Sequence, residues 1–338
     1  MKTRAIGFHQ HRDASDPQSL VEETIELPSL QDWDLLVQVQ AVAVNPIDTK
    51  LRRGLSGSMN DPEAFYVLGY DAAGIVIDAG KNATRFTPGD RVFWMGTTRR
   101  PGANAQLQVV DSRLVGHAPE AMEPALAAAL PLTALTAWEV LFSSLGITER
   151  SSGILLLVGA TGGVGTAALQ LLREKAPGVR VIATAHGEDR QQWVRDLGAW
   201  HTVDHRGDLG TQVHDLAPEG VRWIFSTHTP GNSAMYAQVI APYGDIAVID
   251  TMPDDVSVFK PKSVAFHWYY AFSRTDFGVS IERDGEILEY VRQLADSGRY
   301  TQPALTNVGV INAQNLRTAH NMVENDHTLG KIVLSGWE

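Results

Sequence analysis

Leu156-Leu157-Val158-Gly159-Ala160-Thr161-Gly162-Gly163-Val164-Gly165 constrains the fold of this chain more than any other stretch. An apolar run, a glycine turn and an Ala/Leu-rich helix together specify the strand–turn–helix of an α/β domain. In such a turn Gly162 would permit the tight bend and Gly163 would let a ligand approach the backbone. Gly165 would let the helix lie close to the strand, with its N-terminal amides facing a phosphate. Thr161 and Val164 belong to the same cradle, and Ala160 stands where G-x-G-x-x-G has its first glycine. Alone, the run admits two readings: a cradle for a dinucleotide pyrophosphate, or an ordinary strand-to-helix turn.

The residues beyond the turn favour the cradle. Thr166–Glu174 is helix-compatible and ends at Lys175-Ala176-Pro177-Gly178, and Val179–Ala185 reads as a second buried strand, completing a βαβ unit. A site that prefers NADH places an acid at the tip of that strand, about twenty residues past the glycines. Here the tip reads Ala185-His186-Gly187. Glu188 and Asp189 come later, as first-turn acids of the next helix, and Arg190 is close enough to pair with a 2′-phosphate. The expected cofactor is therefore NADPH, the alternative being that His186 and Arg190 are solvated surface residues.

A chain of 338 residues exceeds one compact core and suggests two domains. A formal charge of −11 disfavours nucleic acid and anionic membrane as partners. No apolar run is read as long enough to span a bilayer, and the N-terminal residues lack the apolar core of a signal peptide, so the expected location is the cytoplasm. There is no cysteine, which excludes disulfides, thiolate catalysis and thiolate metal sites.

Residues 1–125 are β-rich, with runs such as Leu35–Val42 and Gly74–Gly80 and a turn at Thr87–Asp90. From Glu123 the texture becomes Ala/Leu-rich helix, broken at Pro131, and then alternates strand with helix through Ile154–Val158, Val179–Ala185, Trp223–Thr227 and Ile246–Asp250. That alternation predicts a doubly wound parallel sheet over 126–274. A helix over Asp284–Asp296 and the strand Lys331–Leu334 return the chain, as 275–338, to the first domain.

Val44-Asn45-Pro46-Ile47-Asp48, Leu68-Gly69-Tyr70-Asp71-Ala72-Ala73-Gly74, Pro88-Gly89-Asp90-Arg91-Val92, Leu130–Trp138, the glycine turn and Gly330–Leu334 recur in this order in a known family. The chain resembles the medium-chain dehydrogenase/reductase superfamily over nearly its whole length. Within it, the zinc-lacking quinone oxidoreductases and the zinc-type alcohol dehydrogenase-like proteins are the most similar. The resemblance implies an α/β chain: a GroES-like β domain with a Rossmann domain inserted before the C-terminal return. It implies that Asn45 contacts the nicotinamide ribose or the substrate and that Thr133 lies by the nicotinamide and its phosphates. Gly162–Gly165 would hold the pyrophosphate, Thr184 would lie on the adenosine side, and Arg190 and His205 would face the 2′-phosphate.

Zinc-dependent members place a Cys where this chain has Pro46-Ile47-Asp48 and a His at Tyr70-Asp71. Asp48, Tyr70 and Asp71 make no credible zinc set, and His9-x-His11 is expected to be exposed rather than ligating, so no metal is expected. Without a Lewis acid the fitting reaction is hydride donation from NADPH to an electrophile already activated, such as a quinone or an enone. Several quinone reductases carry a Tyr where this chain has Lys50. Lys50 is then either a proton donor or electrostatic anchor, or a solvated lysine; Tyr70 either supplies a hydroxyl or packs.

Ser263–Phe272 alternates apolar and aromatic residues and reads as the last strand and the loop beyond it. In relatives this strand pairs with its copy, which predicts a homodimer. Trp268, Tyr269 or Phe272 would wall the substrate cleft or simply pack. The expected activity is NADPH-dependent reduction of quinones. Reduction of enone double bonds and a cofactor-binding sensor or structural protein are the alternatives.

Overall fold

The computed structural model describes residues 1–55, 59, 61, 63–251, 255–301, 304–325 and 330–338. The chain forms two compact units, Met1–Leu132 with Phe272–Glu338, and Thr133–Ala271.

The first unit begins with strands β1 (Lys2–Phe8), β2 (Val21–Glu26) and β3 (Asp34–Val44), then helix α1 (Pro46–Arg52). Strands β4 (Tyr66–Val67), β5 (Ala72–Ala79), β6 (Arg91–Trp94), β7 (Leu107–Asp111) and β8 (Val115–His117) come next, then α2 (Pro124–Ala128). Helix α3 (Pro131–Trp138) crosses into the second unit and continues through a π-helical turn, Glu139–Ser144. That unit holds β9 (Gly153–Val158), α4 (Gly163–Lys175), β10 (Val179–Thr184), α5 (Glu188–Asp196), β11 (His201–Val203), α6 (Leu209–Leu216), β12 (Val221–Ser226), α7 (Ser233–Val239), β13 (Ile240–Val248) and β14 (Ala265–Trp268). The chain returns as α8 (Ser273–Phe277), α9 (Glu282–Asp296), β15 (Leu305–Asn307), α10 (Ala313–Glu324) and β16 (Lys331–Ser335).

The second unit is a parallel six-stranded sheet of order β11-β10-β9-β12-β13-β14, the doubly wound order with its reversal beside β9. Its central strands are near-continuous apolar runs because helices cover both faces. Leu156, Ile182, Ile224 and Ile246, from four adjacent strands, are fully buried with Tyr236 and Val239 of α7. At about 1.5–3 kcal/mol for each large apolar side chain removed from water, this core holds the strand ends in place.

In the first unit the eleven-residue β3 is central, bonded antiparallel to β5, β7 and β16. The β16 pairing, Ile332 to Val44 and Leu334 to Val42, is the expected C-terminal return. The units divide at 132/133 and 271/272, against 125/126 and 274/275 expected from composition. Helix α2 is Ala-rich like the segments after it, yet it packs on β3, β5, β6 and β16. Phe272 is fully buried with its ring edge-on to Tyr70.

The helical stretch Pro124–Ser144 corrects one expectation. Its 21 residues are long and apolar enough, by length and composition, to cross a bilayer, yet 83% of its apolar window is buried inside the protein. A core helix and a membrane span share that composition.

Candidate functional site

The tight turn after β9 is made at Gly159. Its φ is +81°, and a Cβ there would fall 2.0 Å from the Thr227 hydroxyl oxygen. Gly162, expected to provide the bend, has an ordinary φ of −79°, and a Cβ on it would meet only the Gly159 carbonyl at 3.5 Å. Counting the pattern from Ala160 placed the first glycine one residue late. Gly165 does what was expected: a Cβ would lie 2.4 Å from Gly159 O and 2.5 Å from Ala160 Cα, so the first turn of α4 touches backbone.

The first amides of an α-helix have no intrahelical acceptor. In α4 the N-cap is Gly162, no side chain caps the helix, and the Thr166 hydroxyl bonds back to the Gly163 carbonyl instead. The backbone of Gly163, Val164 and Gly165, with Thr161 before it, therefore meets the donor requirement of an anion such as a pyrophosphate. Thr184, buried at the end of β10, accepts the Gly159 amide through its hydroxyl at 3.0 Å and so fastens the turn to the neighbouring strand.

Because the sheet is parallel, residues just past successive strands gather along one edge. His186 comes after β10, His205 after β11, and His228 after β12, where its Nδ1 lies 3.1 Å from the Cβ position of Gly159. His186 Nδ1 is 2.8 Å from Asp204 Oδ2, and the His186 and His205 rings lie 6.2 Å apart. Asp204 Oδ1 accepts the Arg206 amide at 2.9 Å; that bond, and then His186, hold the Asp204 carboxyl below the usual carboxylate range. Partial desolvation pushes His205 down, with His186, Arg206 and His228 adding to the shift against Asp204. Arg190, the third residue of α5, is exposed and makes no side-chain hydrogen bond or ion pair among the described residues. Asp204, Arg206 and His228 escaped sequence reasoning; the available signal was that each sits just past a strand of a parallel sheet.

The first unit holds a different polar centre. Asn45 caps α1, and Asp48 at the third helical position reaches back to accept the Asn45 amide at 2.9 Å, one arm of a capping box. The other Asp48 oxygen accepts the Gly69 amide at 3.1 Å. Asp71 accepts the Leu132 amide at 2.7 Å through Oδ1, and Asn45 Nδ2 at 2.9 Å and Lys331 Nζ at 2.7 Å through Oδ2. Lys331 also donates to Asn45 Oδ1. Asn45, Asp48, Asp71 and Lys331 are all buried. Burial pushes the Asp48 carboxyl up to about 7 against the two amides that it accepts, with the Asp71 charge adding to the rise. Burial raises Asp71 as well, against the pull of Lys331.

The predicted catalytic residues are placed unequally. Asn45 has both ends of its amide engaged: Nδ2 donates to Asp71 Oδ2 and to the Ala43 carbonyl, and Oδ1 accepts from Lys331. Tyr70 is fully buried with its ring on Phe272. Lys50 is half-buried in the last turn of α1 and makes no side-chain hydrogen bond or ion pair among the described residues. Thr133 is buried in α3. His9 and His11 are half-buried rather than exposed and face separate partners, Glu23 with the Ala64 carbonyl, and the Arg52 carbonyl.

Zinc does not fit these residues. Catalytic zinc takes three Cys, His or carboxylate ligands. Among the described residues no three His, Asp or Glu side chains gather at a spacing that would hold a metal. The buried carboxylate Asp71 is already bonded to an ammonium.

Residues 31–120 match the alcohol dehydrogenase GroES-like domain family and residues 163–278 the zinc-binding dehydrogenase family. The zinc-type alcohol dehydrogenase-like protein of Staphylococcus epidermidis is 34% identical over 98% of this chain and 99% of its own length. A structure from Rhizobium etli CFN 42, provisionally described as a zinc-dependent alcohol dehydrogenase, is 38% identical with a TM-score of 0.91, covering 100% and 99% of the two chains. Escherichia coli quinone oxidoreductase complexed with NADPH shares the fold at a TM-score of 0.83 and 21% identity, over 98% and 99% of the chains. Its parallel sheet, its glycine turn and these matches make the chain an oxidoreductase of the medium-chain dehydrogenase/reductase superfamily, akin to the zinc-type alcohol dehydrogenase-like proteins.

Proposed function

We propose that this protein is an NADPH-dependent reductase of quinones and related activated carbonyl compounds, that it needs no zinc, and that it works in the cytoplasm as a homodimer. The observation that carries the reading is the uncapped start of α4 at Gly162–Gly165 beside strand ends that bear His186, His205 and, on α5, Arg190. Amide donors suit a pyrophosphate, and imidazole with guanidinium suits a 2′-phosphate. When bound, the nicotinamide supplies the hydride. The α4 amides fix the pyrophosphate, Arg190 and the two histidines select the phosphorylated ribose, and Thr133 is assigned to the nicotinamide side. Lys50 stabilises the negative charge that develops on a reduced carbonyl oxygen.

The described residues offer no fitting zinc site, which supports hydride transfer toward an electrophile that is already activated. The dimer reading rests on β14, the edge strand of its sheet, with Trp268 59% exposed. Stopped-flow oxidation of NADPH and NADH by 1,4-benzoquinone, 9,10-phenanthrenequinone and an alkenal tests the activity. Fast quinone turnover preferring NADPH is expected; cofactor binding with no turnover on any acceptor refutes the reductase reading.

A further inference from the structure

His186 is held in one tautomer. Its Nδ1 lies 2.8 Å from Asp204 Oδ2, and Asp204, kept below the usual carboxylate range by the Arg206 amide and by His186 itself, stays ionised at neutral pH. An ionised carboxylate only accepts, so the ring proton sits on Nδ1 and donates to Asp204. The other nitrogen, Nε2, makes no hydrogen bond among the described residues, and the side chain is 38% exposed at the strand edge beside the glycine turn. In the neutral ring Nε2 is an acceptor, while in the protonated ring it is a donor carrying positive charge.

We propose that the His186–Asp204 pair is a proton-linked selector of the adenosine ribose: His186 Nε2 accepts from a free 2′-hydroxyl when neutral and donates to a 2′-phosphate when protonated. The inference rests on the proposed dinucleotide cradle and adds to it. Binding of the 2′-phosphorylated dinucleotide takes up one proton wherever the free ring is neutral, and binding of the unphosphorylated one takes up none. Asp204 contributes to both forms, steadying the imidazolium in one and orienting the neutral ring in the other.

The other charged groups around His186 are Glu188, Asp189 and Arg190 on α5, His205 and Arg206 after β11, and His228 after β12. Carboxylates and guanidinium groups keep their charge across the neutral range. His205 is pushed down by desolvation, with Asp204 opposing the shift. His228, against Gly159, is the remaining imidazole and needs its own control.

The test is equilibrium binding of NADPH and NADH to the whole protein between pH 6.5 and 8.5, where the 2′-phosphate stays largely dianionic. The NADPH-over-NADH preference should fall at least about tenfold over this range, the sign and scale of one linked proton. Calorimetry at pH 7.5 in two buffers of different ionisation enthalpy should show proton uptake with NADPH and none with NADH. His186→Gln should flatten the pH dependence to within about twofold, and His228→Gln should leave it in place. A preference for NADPH that does not vary with pH, or a dependence that survives His186→Gln, overturns the selector and leaves the NADPH reading standing. A preference at or below one at every pH overturns the NADPH reading as well.

Discussion

In the second unit the candidate cradle is backbone, seven consecutive residues from Gly159 to Gly165 in which the decisive feature is the missing Cβ. In the first unit the polar centre is side chains, brought from positions 45, 48, 71 and 331 and closed by one buried ammonium. A backbone site leaves the identity of its helix free but tolerates no Cβ where chain meets chain. A buried side-chain network has the opposite sensitivity: each member can be replaced in shape, but not in charge without its partner. Substitutions at Lys331, Arg190, Gly165, Gly162 and Glu289 press on this contrast, in falling order of effect.

Lys331→Met should have the largest effect. It leaves Asp71 buried without its cation and should cost about 3–5 kcal/mol by urea denaturation, while the folded protein keeps its dinucleotide affinity. Asp71→Asn combined with Lys331→Met should recover part of the loss. An unchanged midpoint in the single variant would mean that the ammonium contributes nothing to the centre.

Arg190→Ala should weaken NADPH by about 1.5–3 kcal/mol, the size of a charge-assisted hydrogen bond, and leave NADH unaffected. Equal losses for the two cofactors would remove Arg190 from the cradle. Titration of each dinucleotide by fluorescence is sufficient.

Gly165→Val drives a side chain into backbone at 2.4 Å and should cost about 1–3 kcal/mol of stability along with dinucleotide binding. Gly162→Ala has room in the free protein, so its stability should move by less than about 1 kcal/mol. If Gly162→Ala unfolds the chain, the bend was misplaced and the contrast between the two glycines fails.

The smallest effect concerns acid. Burial raises Glu289, but His117, through ring and backbone, and Arg292 outweigh it and bring the carboxyl to about 2. A depressed folded value contributes stability above the ordinary carboxylate range, lost as pH falls through about 2. Glu289→Gln should therefore flatten the acid-unfolding curve between about pH 4.5 and 2. An unchanged slope would show the cluster to be inert.

Much of the second unit was legible because its signals are local. The apolar runs of β9 and β10 are contiguous, the helix between them is bounded by glycines and Pro177, and Gly165 announces a close approach by its type alone. The return of β16 was legible for the same reason. What failed were features set by distant chain. Gly159 looks like any strand-end glycine until Thr227 is placed against it. Asp48 and Asp71 stood out only as residues at positions where zinc-dependent relatives differ, and nothing near Lys331 announces that its ammonium closes their network. The Asp204–His186 pair joins two strand ends 18 residues apart, visible only once the sheet order is known. The apolar stretch 124–144 shows the limit of composition, which does not distinguish a buried helix from a membrane span.

In the proposed function this dehydrogenase-family chain works from a backbone-held dinucleotide with no metal, a buried lysine standing among the carboxylates. The most direct measurement is zinc content of the purified protein together with NADPH oxidation by 9,10-phenanthrenequinone before and after chelation. The account predicts sub-stoichiometric zinc and unchanged turnover. One zinc per chain, with activity lost on chelation and restored by zinc, would contradict it.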